Sequence, residues 1–254
     1  LDKETFFLAG NRKQQNNPLP ARLNHFFWKM MDWIYPPACP GCQALGFRFC
    51  PDCQSQINYL HDPICSKCGQ PVSDSREKYC SSCVEHEPGF TKLQSVTIYD
   101  GAIRSAILQM KFNQDFGISE FLGEKITDLF LDQLQWDIDF IVPVPLSKER
   151  QKSRGFNQSY RLALPLSLRT RLPIKCDALN RTVNTLTQSD LPKHERLSNV
   201  KNAFSSKVNY VQGKKILIID DVATTSSTIS ACSIALLDNG AKAVFGITAA
   251  RAVL

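Results

Sequence analysis

The chain has 254 residues, 43% of them hydrophobic, and a net charge of +6. That is enough apolar content for a real core, and enough length for one substantial domain plus a small one. No apolar run approaches the ~18 residues of a membrane span, which excludes a helical membrane bundle; the charge excess fits either a phosphate-bearing partner or scattered surface lysine.

Residues 1–20 are polar, end in Pro18 and Pro20, and read as a tail. The opening LDKETFFLAGNRKQQ lacks the basic start and apolar stretch of a signal peptide, so a cytoplasmic chain is expected. In the following ARLNHFFWKMMDWIYPPAC, Leu23, Phe26, Phe27, Met30 and Ile34 lie roughly on one helical face. This predicts a short amphipathic helix stopped by Pro36 and Pro37. Packing on its own domain is the ordinary use of such a face; a membrane or a partner is the alternative.

Eight of the ten cysteines form C-x-x-C pairs: Cys39/Cys42, Cys50/Cys53, Cys65/Cys68 and Cys80/Cys83. A C-x-x-C pair on a tight turn directs two thiolates at one ion, and two pairs complete a closed tetrahedral zinc site. Four pairs therefore predict two structural Zn²⁺ ions. Redox thiols and an iron–sulfur cluster are the alternatives, but redox motifs usually come singly on a thioredoxin-like unit. The pairs are separated by 7, 11 and 11 residues. Sequential pairing, first with second and third with fourth, closes shorter loops than a crossed arrangement and is preferred. His61 and His86 are close enough to substitute as ligands but read as bystanders. Cys176 and Cys232 read as small core residues. With four thiolates an ion has no open position, so this module is structural or a recognition surface.

From about residue 92 strand and helix patterns alternate. LQSVTIYD reads as a strand, GAIRSAILQMKF and GISEFLGEKITDLFLDQL as helices, and IDFIVPVP as a buried strand. NQSYRLALPLSLRT is helical with a possible kink at Pro165; IKCDALN reads as a strand and KHERLSNVKNAF as a short helix. KKILIID is a buried strand, STISACSIALLDNG a helix with Gly240 as its natural C-cap, and AKAVFGITAARAV a closing strand. Alternation of this kind predicts an α/β fold, a parallel twisted sheet with helices on both faces. The expected layout is a tail at 1–20, helix and zinc ribbons at 21–90, and the α/β domain at 91–254.

The chemistry concentrates in KKILIIDDVATTSSTIS, residues 214–230. Amides at a helix start favour an anion, and Thr224, Thr225, Ser226, Ser227 and Thr228 fall in that turn, where hydroxyls and amides can wrap a phosphate. Asp220 and Asp221 would repel a phosphate. They suit the vicinal hydroxyls of a ribose, or help to hold Mg²⁺. A ribose 5-phosphate fits both halves of the pattern. A receiver domain also carries adjacent acids, but the 33 residues after Asp221 cannot supply its remaining βα units. An ordinary helix N-cap explains one hydroxyl and not five. Past the strand ending at Pro145, Lys148, Arg150, Lys152 and Arg154 offer cations for phosphate, with a solvated basic loop as the alternative.

ILIIDDVATTSST resembles the phosphoribosyl diphosphate (PRPP) loop of type I phosphoribosyltransferases. Together with IVPVPLSKERQKSRGFNQS, LNRTVNTLTQSDLPKHERLSNVKNAF and the upstream ribbons, it resembles the ComF/GntX family over about residues 21–254. The resemblance implies a double zinc ribbon joined to a phosphoribosyltransferase-like domain, with several members linked to DNA uptake in competent bacteria. It implies PRPP contacts from Asp220, Asp221 and Ala223 through Thr228, Mg²⁺ carried with PRPP, and pyrophosphate cations among Lys148, Arg150, Arg154 and Arg196. It also implies a flexible loop over residues 181–196, with Gln188 and Arg196 its candidates, and family matches at Tyr99, Lys111 and Phe112. Ser226 stands where such loops usually carry Gly, which predicts a less open turn. Some purine enzymes carry an acid where this chain has Thr224, and His194 is the one histidine of the second half. No general base is evident, so recognition of PRPP is better supported than turnover. The implied partners are PRPP or a related ribose phosphate, single-stranded DNA, and competence helicase or translocation proteins. In the DNA reading Phe47, Phe49 and Tyr59 are candidate stacking residues, although filling the ribbon core is the commoner role.

Overall fold

The computed structural model describes residues 36–113, 115–182 and 203–253. The expected amphipathic helix before Pro36, Gln188, His194 and Arg196 lie outside them, as does most of the segment from Lys193 to Phe204. The elements are α1 (Pro51–Ser55), α2 (Ser81–Glu85), β1 (Lys92–Ile98), α3 (Gly101–Phe112) and α4 (Phe116–Leu129), which continues into a π turn, Phe130–Leu134. Then come β2 (Phe140–Pro143), α5 (Lys148–Arg154), α6 (Gln158–Thr170), β3 (Leu179–Arg181), β4 (Phe204–Ser206), α7 (Val208–Val211), β5 (Lys215–Ala223), α8 (Ser227–Leu237) and β6 (Ala243–Arg251).

Four strands form one parallel sheet in the order β1-β6-β5-β2. Strand β5 is buried over nearly its whole length, as its unbroken aliphatic run dictates. Its side chains alternate between two cores. Leu217 and Ile219 pack with Ile103, Ile107, Leu122 and Leu162 of α3, α4 and α6. Ile216 and Ile218 pack with Ile229, Cys232 and Leu236 of α8. Helices therefore cover both faces, as expected. Among the described residues no helix is long and apolar enough to cross a membrane.

Two local expectations are corrected. IKCDALN is not a continuous strand: Cys176–Ala178 is a 3-10 turn, and only Leu179–Arg181 is extended, paired antiparallel with Phe204–Ser206. At Phe204, where the expected KHERLSNVKNAF helix would end, the chain is extended in strand β4; the rest of that expected helix up to residue 202 lies outside the described residues. Pro165 sits inside α6, which runs on to Thr170. Its ring lies against Gly123 of α4, where an added Cβ would stand 2.8 Å from Pro165 Cγ and 2.9 Å from the Leu162 carbonyl. The missing side chain is what lets the two helices approach.

The ribbons straddle the sheet. Cys39, Cys50 and Cys53 belong to one core and Cys65 and Cys68 to the other. Between them the chain crosses the free edge of β1. Leu60 N–H donates to Val96 O (3.0 Å) and Ile98 N–H to Asn58 O (2.8 Å), so Asn58–Leu60 lies antiparallel along that edge. Further on, Leu93 N–H donates to Lys67 O at 2.8 Å. Gly69 makes this approach possible: its φ is +72°, and a Cβ would meet Gln94 Oε1 at 2.9 Å.

Candidate functional site

The cysteines form two tetrads, Cys39/Cys42/Cys50/Cys53 and Cys65/Cys68/Cys80/Cys83, each with its sulfurs within 4.8 Å of one another. The pairing is sequential; the crossed arrangement does not occur. All eight thiols are free of disulfides. Four sulfurs ~2.3 Å from a zinc ion stand about 3.8 Å apart. Cys42 and Cys50 Sγ are 3.5 Å apart, and Cys68 and Cys80 Sγ 3.7 Å. Burial opposes ionisation of Cys39, but the amides of Cys50, Cys42 and Gly41 bring its pKa down to about 6. Sulfur type, spacing and amide donors all fit Zn²⁺. The two histidines, His61 and His86, are in neither tetrad. Of the other aromatics near the ribbons, Phe49 is buried and stacks on Phe121 with centroids 4.6 Å apart, Tyr59 packs against the same core, and Phe47 is exposed. Phe49 is thus a core residue.

The acid pair lies near the carboxyl end of β5, between β2 and β6. Neighbouring residues of a strand point to opposite faces, and each acid has its own partner. Ser159 Oγ, in the first turn of α6, donates to Asp220 Oδ1 at 2.8 Å. Lys111 Nζ, in the last turn of α3, stands 2.8 Å from Asp221 Oδ2, an ion pair without the alignment of a hydrogen bond. Both carboxylates are buried. Burial and then the charge of Asp221 push Asp220 up to about 7, against the opposing Ser159 hydroxyl.

Past the acids, Ala223 ends β5. Thr224 and Thr225 are exposed, Ser226 is buried, and Ser227 and Thr228 are half-buried at the start of α8. Thr225 Oγ1 and Ser227 Oγ are hydrogen-bonded at 2.8 Å. Ser226 adopts the left-handed conformation (φ 61°) that Gly commonly supplies. Its hydroxyl compensates by accepting from Arg251 Nη2 at 3.0 Å.

The cations divide. Arg154 stacks over Phe112 (5.6 Å); burial lowers its pKa, and the charges of Asp221 and Asp220 counter that. Arg150 is near enough to Arg154 and Arg181 for its charge to depress both. Lys148 instead lines a separate cavity of about 410 Å³ with Pro145, Asn157, Cys176 and Asn180. That cavity opens at the end of β2, whose Pro143 is in register with Ile219. Among the described residues, neither the acids nor the 224–228 turn line it. Cys176 is exposed and is not the small core residue expected from its strand-like segment, whereas Cys232 is fully buried.

Residues 30–84 match the double zinc ribbon domain. Over 218 residues the chain is 35% identical to the DNA utilization protein YhgH of Escherichia coli K12, covering 82% of this chain and 94% of that protein. The chain belongs to the ComF family. It is also 32% identical over 191 residues to competence protein F of Haemophilus influenzae, covering 72% of this chain and 82% of that one. To competence protein ComFC of Bacillus subtilis the identity is 30% over 203 residues, 77% of this chain and 80% of that protein. Among solved structures, glutamine PRPP amidotransferase from B. subtilis is similar over 51% of this chain and 26% of its own, at 18% identity and a TM-score of 0.37.

Three residues that touch or neighbour the acids and the turn carry no distinct signal in the sequence: Ser159, Arg181 and Arg251. Ser159 follows the helix-capping Asn157 and looks like part of a cap; Arg181 and Arg251 each end a strand, where a solvated arginine is ordinary.

Proposed function

We propose that this ComF-family chain binds PRPP, through its ribose 5-phosphate part and with Mg²⁺, at the carboxyl edge of the sheet, and serves DNA uptake. The observation that carries the reading is the sequence of groups along one chain segment: two buried carboxylates, a left-handed turn, and a hydroxyl-rich helix start. The turn offers amides and hydroxyls for the 5-phosphate. The acids accept from the ribose hydroxyls, with Lys111 yielding or sharing Asp221 as the diol enters. Arg154, beside the acids, and Arg150 next to it suit the pyrophosphate, whose charge Mg²⁺ shares. The role in DNA uptake is drawn from the relatives named for competence and DNA utilization.

Titration calorimetry with PRPP and Mg²⁺ tests this. Binding heat is expected for the native chain, and a loss of affinity of at least about a hundredfold for Asp220→Asn/Asp221→Asn, since two charge-assisted hydrogen-bond acceptors go together. Absence of heat from the native protein sinks the reading.

The second reading is a non-catalytic single-stranded DNA binder on the same fold. Phe112, 70% exposed and flanked by the Arg154 guanidinium, favours it, because base stacking beside a cation is sequence-tolerant. Gel shifts with a single strand are then expected to weaken steeply with salt and again in Phe112→Ala. A shift indifferent to both changes rejects that use of Phe112.

A further inference from the structure

Arg251, the last residue of β6, is 1% exposed. Its guanidinium reaches in two directions. Toward the second ribbon, Nη1 donates to Gln70 Oε1 (3.1 Å) and Nη2 to the carbonyl of the tetrad cysteine Cys68. Toward the hydroxyl turn, the same Nη2 donates to Ser226 Oγ at 3.0 Å. Ser226 is the residue whose left-handed backbone hands β5 over to α8. A second tie runs parallel to the first: Gly89 N–H, just past the ribbon, donates 3.0 Å to Ser230 Oγ in the first turn of α8.

The chemistry of the pairings explains why an arginine stands there. A planar fork satisfies acceptors on both sides at fixed angles, which an ammonium cannot do. A zinc ion held by four thiolates leaves net negative charge, so the second tetrad is a fitting neighbour for a buried cation. A zinc ion in the second tetrad would fix the position of Cys68; the Cys68 carbonyl and Gln70 fix the guanidinium, and the guanidinium fixes the Ser226 hydroxyl, each by a direct contact.

We propose that Arg251 is a positioning residue through which the second zinc ribbon sets the conformation of the 224–228 turn, so that the ribbon is a structural wall of the anion site. The functional half of this proposal rests on the reading of that turn as the phosphate loop. The mechanical half does not.

Hydrogen exchange, read alongside zinc content, tests it. The reporter is the Ser230 amide, which donates to Ser226 O at 2.9 Å, with the neighbouring amides of 227–229. In Arg251→Met these amides are expected to exchange about tenfold faster or more while both zinc ions remain. Arg251→Lys, which keeps the charge and loses the fork, is expected to be nearly as fast. Cys80→Ser, which breaks the second tetrad, is expected to lose one zinc and to loosen the same amides, although it touches none of them. Unchanged exchange at 227–230 in a folded Arg251→Met, or loosening confined to the ribbon in Cys80→Ser, overturns the coupling. Should Arg251→Met fail to fold, Gln70→Ala and Ser226→Ala each remove a single contact, and native exchange in both overturns it equally. Calorimetry with PRPP and Mg²⁺ on the same variants separates the two halves. No heat from the native chain together with coupled exchange removes the phosphate reading and leaves the ribbon-to-turn linkage standing.

Discussion

Cys39→Ser is expected to halve the zinc content and to lower the melting temperature by roughly 10 °C or more, because a structural metal site is worth several kcal/mol and a domain of this size loses ~2–4 °C per kcal/mol. The effect is large because the first tetrad is not a peripheral clip. Cys39, Cys50 and Cys53 are 0%, 4% and 7% exposed and share a core with Phe49, Ile103, Ile107, Ile118 and Leu122. Removing one thiolate leaves three ligands that hold the ion poorly. It also removes the sulfur that accepts from Cys50 N–H (3.4 Å), and leaves Cys50 Sγ, which accepts from Cys53 N–H (3.4 Å), buried with no ion to organise it. Cys176→Ser is the control. Cys176 is exposed and outside both tetrads, so its replacement is expected to stay within about 0.5 kcal/mol of the native stability. Zinc assay and thermal unfolding read both variants; a Cys39→Ser protein that loses one zinc yet melts at the native temperature refutes the account of that core.

Asp220→Asn is expected to raise stability at pH 8 while weakening ligand binding. Burial, followed by the adjacent Asp221 charge, lifts the Asp220 pKa from 3.8 to about 7 in the folded chain. The folded state therefore binds more protons than the unfolded state between those values, and stability falls as pH rises from about 4 to about 7. Above pH 7 the full cost of a buried ionised carboxylate is present, on the order of a few kcal/mol. Asparagine removes that cost and keeps an oxygen for the Ser159 hydroxyl. The variant's advantage in melting temperature is accordingly expected at pH 8 and absent at pH 4. An advantage that does not change between pH 4 and pH 8 defeats the argument. A site acid that destabilises the free protein is a usual mark of a group kept for binding.

Much of this architecture was legible in the chain. The unbroken aliphatic run Ile216–Ile219 pointed to a strand buried on both faces, and four C-x-x-C pairs pointed to two tetrads, with sequential closure preferred over crossed for its shorter loops. These are local patterns, and local patterns record which faces are buried. They do not record what covers them. That Lys111 answers Asp221 and Ser159 answers Asp220 depends on α3 and α6 meeting β5 from far away in sequence. That the two tetrads sit on opposite faces depends on the path of Asn58–Leu60 along β1. The segment from Ile174 failed as a strand for a related reason: a single bridge, Ile174 to Ile141, holds it to the sheet before the chain turns at Cys176. Ser226 was readable as a departure from glycine, but its compensation was not, because Arg251 lies 25 residues further on and ends an apolar strand.

The path of Asn58–Leu60 also bears on how the protein is made. Strand β1 has two neighbours: this short segment, which leaves the ribosome before it, and β6, which leaves near the end of the chain. During synthesis a lone strand waiting for a distant mate is an invitation to pair with other nascent chains. Asn58–Leu60 precedes β1 in the chain and covers the edge that β6 does not, with a ribbon packed on each face of the sheet beside it. The folded sheet thus offers little of its β1 edge to a second chain.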